Sequence, residues 1–429
     1  MIELRKKALD MLFALKAQGV DKAECTVTYN SMDETNSLGH EEYLLREHES
    51  CDMDIKVFKC GKMAQQSINQ FSPEAILAVV KLITKQAECS PGPSEDQKLA
   101  YSGHLRSDMF TATPRDSVKL YSRFEEMMAS IKKGYPLISM DGMARWEETK
   151  VLYINTDGQE LSFTEQEAFC GWQASARNNT CTTDCVFCHI PIESYDVPFL
   201  DCGDMREQLA LAEKMLNPRT LSGEAFSGTL VLTPEASNSY SYELMQRIEN
   251  MEAGDGFPSP NCSDTISLYD AYSDTKYTAG SGPMNSSAAK VRFLIKDGNA
   301  APKETAGMSE IEEALYIAQK SKDVKDLNYH VMGIVPGNTQ LADLIKNVKR
   351  GLLIGYINGS MPSPSGDFSG TAKNSFYIEN GEIKYPVIET MVMGNVFNLF
   401  KHVVGVSSET KAKQRSNFPW IAVDGAIIK

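Results

Sequence analysis

The chain reads VPGNTQLADLIKNVKRGLLI at residues 335–354, followed by GDFSG at 366–370, IENGEIKYPV at 378–387 and MGN at 393–395. Around these segments, short apolar runs typical of strands alternate with short helical patterns. Upstream, TLVLT at 229–233 is typical of a buried strand, and Pro234 is well placed to begin a helix. The alternation predicts a C-terminal domain over 223–429, built as a mixed β-sheet with short helices.

The N-terminal half shows a different pattern, in which helices flank groups of strands. A helix is predicted over residues 3–18, then strands in ECTVTY, EYLLREHE, DMDIKVFK and MAQQSINQF, then a helix from Ser72 and Pro73. The same order starts again with a helix opened by Thr113 and Pro114, and it closes with a helix over 204–216. We therefore predict an α+β domain over 1–222 with an internal duplication, in subdomains 1–100 and 112–222.

The charge, hydropathy and cysteine content of the chain disfavour several classes of function. Of the 429 residues, 43 are Lys or Arg and 57 are Asp or Glu, and the resulting net charge of −14 disfavours a nucleic-acid partner. The sequence shows no signal-peptide pattern and no apolar run long enough for a membrane helix. Its ten cysteines then fit reduced thiols better than a disulfide framework. We expect a cytoplasmic protein that does not act at a membrane.

The order and spacing of the segments quoted first resemble the C-terminal signature of the TldD/PmbA family, whose members are also labelled modulators of DNA gyrase. The acidic composition gives no support to that older label. The resemblance implies a two-domain α+β protein that takes part in the processing of extended or unfolded peptides.

Members of this family fall into two types, and the zinc motif distinguishes them. The TldD type carries His-Glu-x-x-x-His after a short apolar strand, with a distant cysteine as the third ligand. The matching segment here runs from Pro234 to Ser239, and only Glu235 is retained. No cysteine follows Cys262, so the donor set for a catalytic zinc is incomplete. The chain thus resembles the PmbA type, also called TldE. We expect no cofactor in this chain, and zinc in a partner subunit.

Two other motifs offer alternatives. Cys181, Cys185 and Cys188 have the CxxxCxxC spacing of a radical-enzyme cluster loop, but no βα-barrel pattern surrounds them. With His189 they also permit a structural zinc, whereas buried thiols are the plainer interpretation. His40 is followed by Glu41, but no second histidine stands at the spacing of a zinc motif.

We therefore expect the non-metal subunit of a zinc metallopeptidase complex, inactive alone, with a TldD-like homologue as partner and a peptide as substrate. The sequence leaves open whether the chain forms a homodimer in the partner's absence. Cleft-facing positions are predicted at Glu235, Gly366, Asp367, Phe368 and Ser369, and the polar stretch 253–290 is expected to border the cleft. A stand-alone peptide-binding modulator and a metal-cluster enzyme using Cys181, Cys185 and Cys188 remain the alternatives.

Overall fold

The computed structural model describes residues 1–38, 42–91, 104–109, 113–252, 261–273, 290–301, 329–360, 365–413 and 416–429. These residues form two β-sheets, each covered by helices, which confirms the predicted α+β class. The first sheet ends with a strand at Val186–Pro191 and the second begins at Phe226–Leu232. No helix in the described ranges has the length and apolar character needed to cross a membrane.

The first sheet has seven strands and is predominantly antiparallel. Its elements are α1 (Ile2–Ala17), β1 (Lys22–Leu38), β2 (Glu42–Lys59), β3 (Lys62–Ile68), α2 (Pro73–Cys89), β4 (His104–Met109), α3 (Ser117–Gly134), β5 (Ile138–Asn155), β6 (Glu160–Ala176), β7 (Val186–Pro191) and α4 (Met205–Lys214). The strand order is β3-β2-β1-β5-β6, with β7 and β4 both on the outer side of β6.

The predicted repeat of element order is present in this sheet. Each half consists of a helix, three antiparallel strands and a helix, and the first strands of the two halves, β1 and β5, pair antiparallel at the centre. Cys25 and Val27 of β1 pack in one cluster with α1 and α2, while Ala144 and Trp146 of β5 pack with α3 and α4. These four side chains point to the same face of the sheet. Side chains two residues apart on a strand share a face, so Thr35 of β1 points the same way as Cys25 and Val27, and Thr35 lies directly opposite Ala144 of β5.

The second sheet is mixed and has thirteen strands. Its elements are β8 (Phe226–Leu232), α5 (Pro234–Glu252), β9 (Leu268–Ser273), β10 (Lys290–Lys296), β11 (Asn299–Ala300), β12 (Tyr329–Ile334), α6 (Leu341–Lys346), β13 (Arg350–Ile354), β14 (Tyr356–Ser360), β15 (Asp367–Lys373), β16 (Phe376–Glu379), β17 (Glu382–Pro386), β18 (Met391–Asn395), α7 (Val396–Lys401), β19 (Val403–Lys413) and β20 (Ser416–Ile428). Strand β8 lies between β13, in parallel, and β20, antiparallel. Helices α5 and α7 contribute to the large core over this sheet.

Three local predictions need correction. Helix α3 begins at Ser117, because the Asp116 carboxylate caps it by accepting from Lys119 N at 3.0 Å, whereas the Thr113 hydroxyl donates to the Ile192 carbonyl. EYLLREHE and DMDIKVFK form one continuous strand, since β1 pairs with β2 without interruption. In the polar stretch 253–290, residues 268–273 form strand β9, and 253–260 and 274–289 lie outside the described residues.

Hydrogen bonds and ion pairs join the two sheets. Lys373 contacts Asp184 at 2.8 Å, and the Asn374 side-chain amide donates to the Cys185 carbonyl at 2.8 Å. Lys411 of β19 contacts Asp204, at the start of α4, at 2.5 Å. The contacts of Lys373 and Asn374 hold Asp184 and Cys185 of the loop 177–185 against the end of β15. The domain boundary near residue 222 stays a prediction.

Two buried carboxylates lie in the second half of β1, at the centre of the first sheet. Asp33 is 0% exposed and accepts two hydrogen bonds from Arg115, at 2.6 and 2.7 Å. Glu34, on the opposite face, accepts from Arg46 and Arg145. Burial raises the pKa of Glu34, but the hydrogen bonds from the two guanidinium groups outweigh it and hold this pKa below its usual value.

Replacing Arg115 with Met should destabilise the fold by roughly 3 kcal/mol, because the Asp33 carboxylate would stay buried without its partner. The double variant Asp33→Asn/Arg115→Met should recover much of that loss. Urea unfolding of the wild type, both single variants and the double variant measures the coupling. Additive losses would show that the pair is not coupled.

Candidate functional site

The junction between β8 and α5 is where the family's metal-dependent type carries its zinc motif. The Thr233 hydroxyl accepts from Ala236 N at 3.4 Å, and the Thr233 carbonyl accepts from Ser237 N at 2.8 Å, so the helix starts directly after the strand. Pro234 occupies the first helical position, where its missing N–H carries no penalty. The apolar strand and the helix start are thus both retained.

The residues at this junction do not fit a zinc ion. Pro234 has no donor atom in its side chain, and the Ser239 hydroxyl donates to the Glu235 carbonyl at 3.1 Å. Burial in the core raises the pKa of Cys262 to about 12. Nowhere in the described ranges do three His, Cys, Asp or Glu side chains gather so that they could hold a metal.

Glu235 is exposed at the first turn of α5, while its neighbours Ala236 and Ser237 are buried in the core. The hydroxyls of Ser237 and Ser241, one helical turn apart, are both buried and have no hydrogen-bond partner. Helix α5 therefore presents Glu235 outward and Ala236, Ser237 and Ser241 inward.

The GDFSG segment forms a tight turn into β15. Gly366 has a φ of +90°, and a Cβ there would lie 2.4 Å from Phe397 Cδ2, so only glycine fits. The Asn395 amide donates to the Ser365 carbonyl at 2.8 Å and to Asp367 Oδ1 at 2.9 Å, while the Ser365 hydroxyl donates to Asp367 Oδ2 at 2.7 Å. Hydrogen bonds from Asn395 and Ser365 hold the pKa of Asp367 below its usual value.

A ring contact joins this turn to α5. Phe368 is buried in the core with its ring centroid 5.3 Å from that of Tyr240, one and a half turns along the helix from Pro234. The structure therefore brings the GDFSG turn and α5 to one cluster. Among the five predicted cleft residues, Gly366 and Phe368 are buried, Ser369 is half-buried, and Glu235 and Asp367 are exposed. Their role in lining a cleft stays a prediction.

Asn395 was the residue whose role in this turn the sequence did not reveal. It belongs to MGN, and its side chain links two elements: the amide nitrogen holds Asp367, and Oδ1 accepts from Asn398 N to cap α7. An Asn immediately before a helical pattern is a recognisable capping signal. Its hydrogen bonds back to residues 365 and 367 depend on the pairing of β15 with β18.

The three spaced cysteines lie at the contact between the two sheets, each in a different environment. The Cys181 sulfur accepts from Asn217 N at 3.4 Å, and the Cys185 carbonyl accepts from Asn374. Cys188 is buried on β7, and its thiol donates to Asp204 at 3.4 Å. This arrangement favours a structural interpretation of these thiols. His40 lies outside the described residues.

A model of the PmbA/TldA metallopeptidase C-terminal domain matches residues 317–429. The chain is also 35% identical over 75 residues to a metalloprotease of Methanothermobacter thermautotrophicus and 35% identical over 83 residues to a metalloprotease PmbA homologue of Buchnera aphidicola subsp. Baizongia pistaciae. Both matches are partial, covering 17% and 19% of this chain and 16% and 18% of those relatives. The C-terminal part of the chain thus resembles the TldD/PmbA family in sequence.

A solved structure of the family extends the likeness to the whole fold. The crystal structure of TldE from Thermococcus kodakarensis matches with a TM-score of 0.74 over 98% of this chain and 99% of that chain. Sequence identity between the two is 17%, so this likeness shows the fold alone. It extends to the first sheet, which the matched domain model does not cover.

Changing Gly366 to Ala should destabilise the protein by roughly 2–5 kcal/mol, because the new Cβ adds both backbone strain and a clash with Phe397. Gly158 is a matched control, since its φ is +81° and a Cβ there meets nothing within 4 Å. Gly158→Ala should cost only the strain. Thermal and urea unfolding measure the stability of the two variants. Equal losses of unfolding free energy would rule out a contribution from the clash with Phe397.

The Asp367 carboxyl should titrate below the ordinary aspartate value of about 3.9. Because its folded pKa is lowered, the stabilisation is present above the unfolded pKa and is lost as pH falls through the folded pKa. Ser365→Ala should move the pKa back toward the ordinary value. Carboxyl ¹³C NMR, with Asp367→Asn to assign the signal, measures both. An unshifted pKa in the wild type would contradict the hydrogen bonding described.

Proposed function

We propose that this chain is the non-metal subunit of a heteromeric zinc metallopeptidase, in which it pairs with a TldD-like homologue that carries the zinc. The observation that carries the proposal is that the start of α5 lacks the side chains that bind zinc in the TldD type. There the strand-to-helix junction is kept, while Pro234 has no donor atom in its side chain and the Ser239 hydroxyl donates to the Glu235 carbonyl. A retained scaffold with a lost metal site favours a role beside an active relative.

The names of the matched relatives support the peptidase class. They are described as metalloproteases, and the matched domain belongs to a metallopeptidase model. Under this proposal the substrate is an extended or unfolded peptide, because only a chain without stable structure can enter a cleft closed by two subunits and bond its backbone to exposed strands. Glu235, Asp367 and Ser369 are then the positions through which this subunit would line the cleft.

Glu235 would not act as a general base in this subunit. A glutamate of a zinc motif is useful because it deprotonates a metal-bound water, and the residues that the structure describes contain no group of three ligands that could hold that metal. The proposed contribution of this chain is therefore to complete the cleft and select the substrate, while the chemistry takes place on the partner.

Mixing this chain with its zinc-bearing homologue should produce cleavage of an unstructured peptide that this chain alone does not perform. The purified partner should contain about one zinc ion per molecule. This chain purified alone should contain well under one. Peptide cleavage followed by mass spectrometry and elemental analysis of each purified subunit test this.

Three outcomes would overturn the proposal: a stoichiometric metal at Glu235, peptidase activity of this chain alone, or activity of the partner that is unchanged on mixing. The last outcome, combined with peptide binding by this chain, would favour a stand-alone modulator instead.

A further inference from the structure

The outer edge of strand β2 is unpaired over much of its length in the described part of the chain. Strand β1 pairs with β2 from Glu42 to Phe58, but β3 joins the other side only from Met53 onward. From Leu44 to Glu49 all six side chains are exposed, including Leu44 at 53% and Leu45 at 52%. A long edge with apolar exposed residues is a template for strand addition.

The backbone groups on this edge can be assigned from the hydrogen-bond alternation. Thr156 N donates to the Ala23 carbonyl, so odd-numbered residues of β1 bond to β5 and even-numbered ones bond to β2. Glu34 lies opposite Arg46, which makes the even-numbered residues of β2 the ones that bond β1. The N–H and C=O groups of Leu45, Glu47 and Glu49 therefore point outward.

The internal repeat supplies an occupied counterpart of this edge. Strand β6 occupies in the second half the place that β2 has in the first, with β7 along Phe169–Ala174 as β3 lies along Met53–Lys59. The remaining part of the β6 edge, Glu160–Glu165, is paired in parallel by β4. The same architecture thus accepts a short parallel strand in one half and leaves the equivalent edge open in the other.

Charge restricts what can add there. Tyr43 packs against Phe124 of α3, so Tyr43, Leu45, Glu47 and Glu49 share the helix-covered face, whereas Arg46 points to the opposite face. A second copy pairing antiparallel about a twofold axis would bring Glu47 and Glu49 against the same glutamates of its partner. A peptide with basic side chains on the helix-covered face meets no such repulsion.

We propose that the edge of β2 from Tyr43 to Asp52 binds an extended, unfolded substrate peptide by parallel β-strand addition, with basic side chains of the peptide beside Glu47 and Glu49. The peptide's identity as substrate rests on the proposed function, but its binding does not require the zinc-bearing partner. This edge would hold part of the substrate while another part lies at the metal.

Fluorescence anisotropy with this chain alone tests the binding. The probe is a short fluorescein-labelled peptide of alternating Lys and Thr, compared with one of alternating Glu and Thr. We expect the Lys peptide to bind more tightly. N-methylation of one alternate set of its residues should abolish binding, and N-methylation of the other set should be tolerated, because only one set faces β2.

Glu47→Pro removes an outward N–H without breaking a bond to β1, so it should weaken binding by at least about tenfold. Glu47→Ala keeps that N–H and should weaken it less. The Glu47→Lys/Glu49→Lys variant should reverse the preference toward the Glu peptide. Circular dichroism and urea unfolding check that each variant is folded, and the N-methylated peptides test the native chain if Glu47→Pro is not.

Binding that is equal for both N-methylated peptides, or that is unaffected by Glu47→Pro in folded protein, would overturn the inference. So would a dimer, measured by sedimentation, that Glu47→Pro dissociates. These assays omit the partner, so they test the inference separately from the proposed function. If the complex cleaves peptide but this chain alone binds none, the inference is wrong and the proposed function stands.

Discussion

The antiparallel pairing of β1 with β5 holds the first sheet together. Fourteen residues of β1, from Glu24 to Ser37, lie opposite a partner on β5, and every other strand of this sheet is added to one side or the other of that pair. At its centre the pair buries Asp33 and Glu34, whose charges would be costly without Arg115, Arg46 and Arg145. The helix pairs of the two halves can cover one common face only because this pairing fixes the register.

The second sheet depends on a different constraint, which is the close approach of the backbone around β8, β13 and β15. A Cβ on Gly351 would lie 2.0 Å from the Thr229 carbonyl oxygen, and one on Gly359 would lie 2.3 Å from that of Ser369. Packed in this way, the sheet supports α5 on one face, and Phe368 reaches Tyr240. The family's signature segments are therefore packing elements as well as candidates for the cleft.

These two sheets suit the proposed role in different ways. The second sheet contains the strand and helix that the resemblance aligns with the zinc motif of the TldD type, and in the described part of the chain no three His, Cys, Asp or Glu side chains gather there. Among the residues that the structure describes, the first sheet has an unpaired edge on β2, and the equivalent edge of β6 is paired by β4. Contacts of Asp184 and Asp204 with Lys373 and Lys411 connect the sheets.

The sequence by itself determined the α+β class, the repeated element order and most helix positions, because each follows from local periodicity or capping residues. It did not determine that 42–59 is one strand, since register with β1 decides that. The sequence also did not show that Thr113 lies outside α3. Its hydroxyl donates a hydrogen bond to the Ile192 carbonyl, and Ile192 is distant in sequence. Only tertiary structure joined Phe368 to Tyr240, tied Asn395 to Asp367 and, within the described ranges, left one edge of β2 unpaired. Each of these depends on contacts between residues far apart in the chain, which no local pattern records.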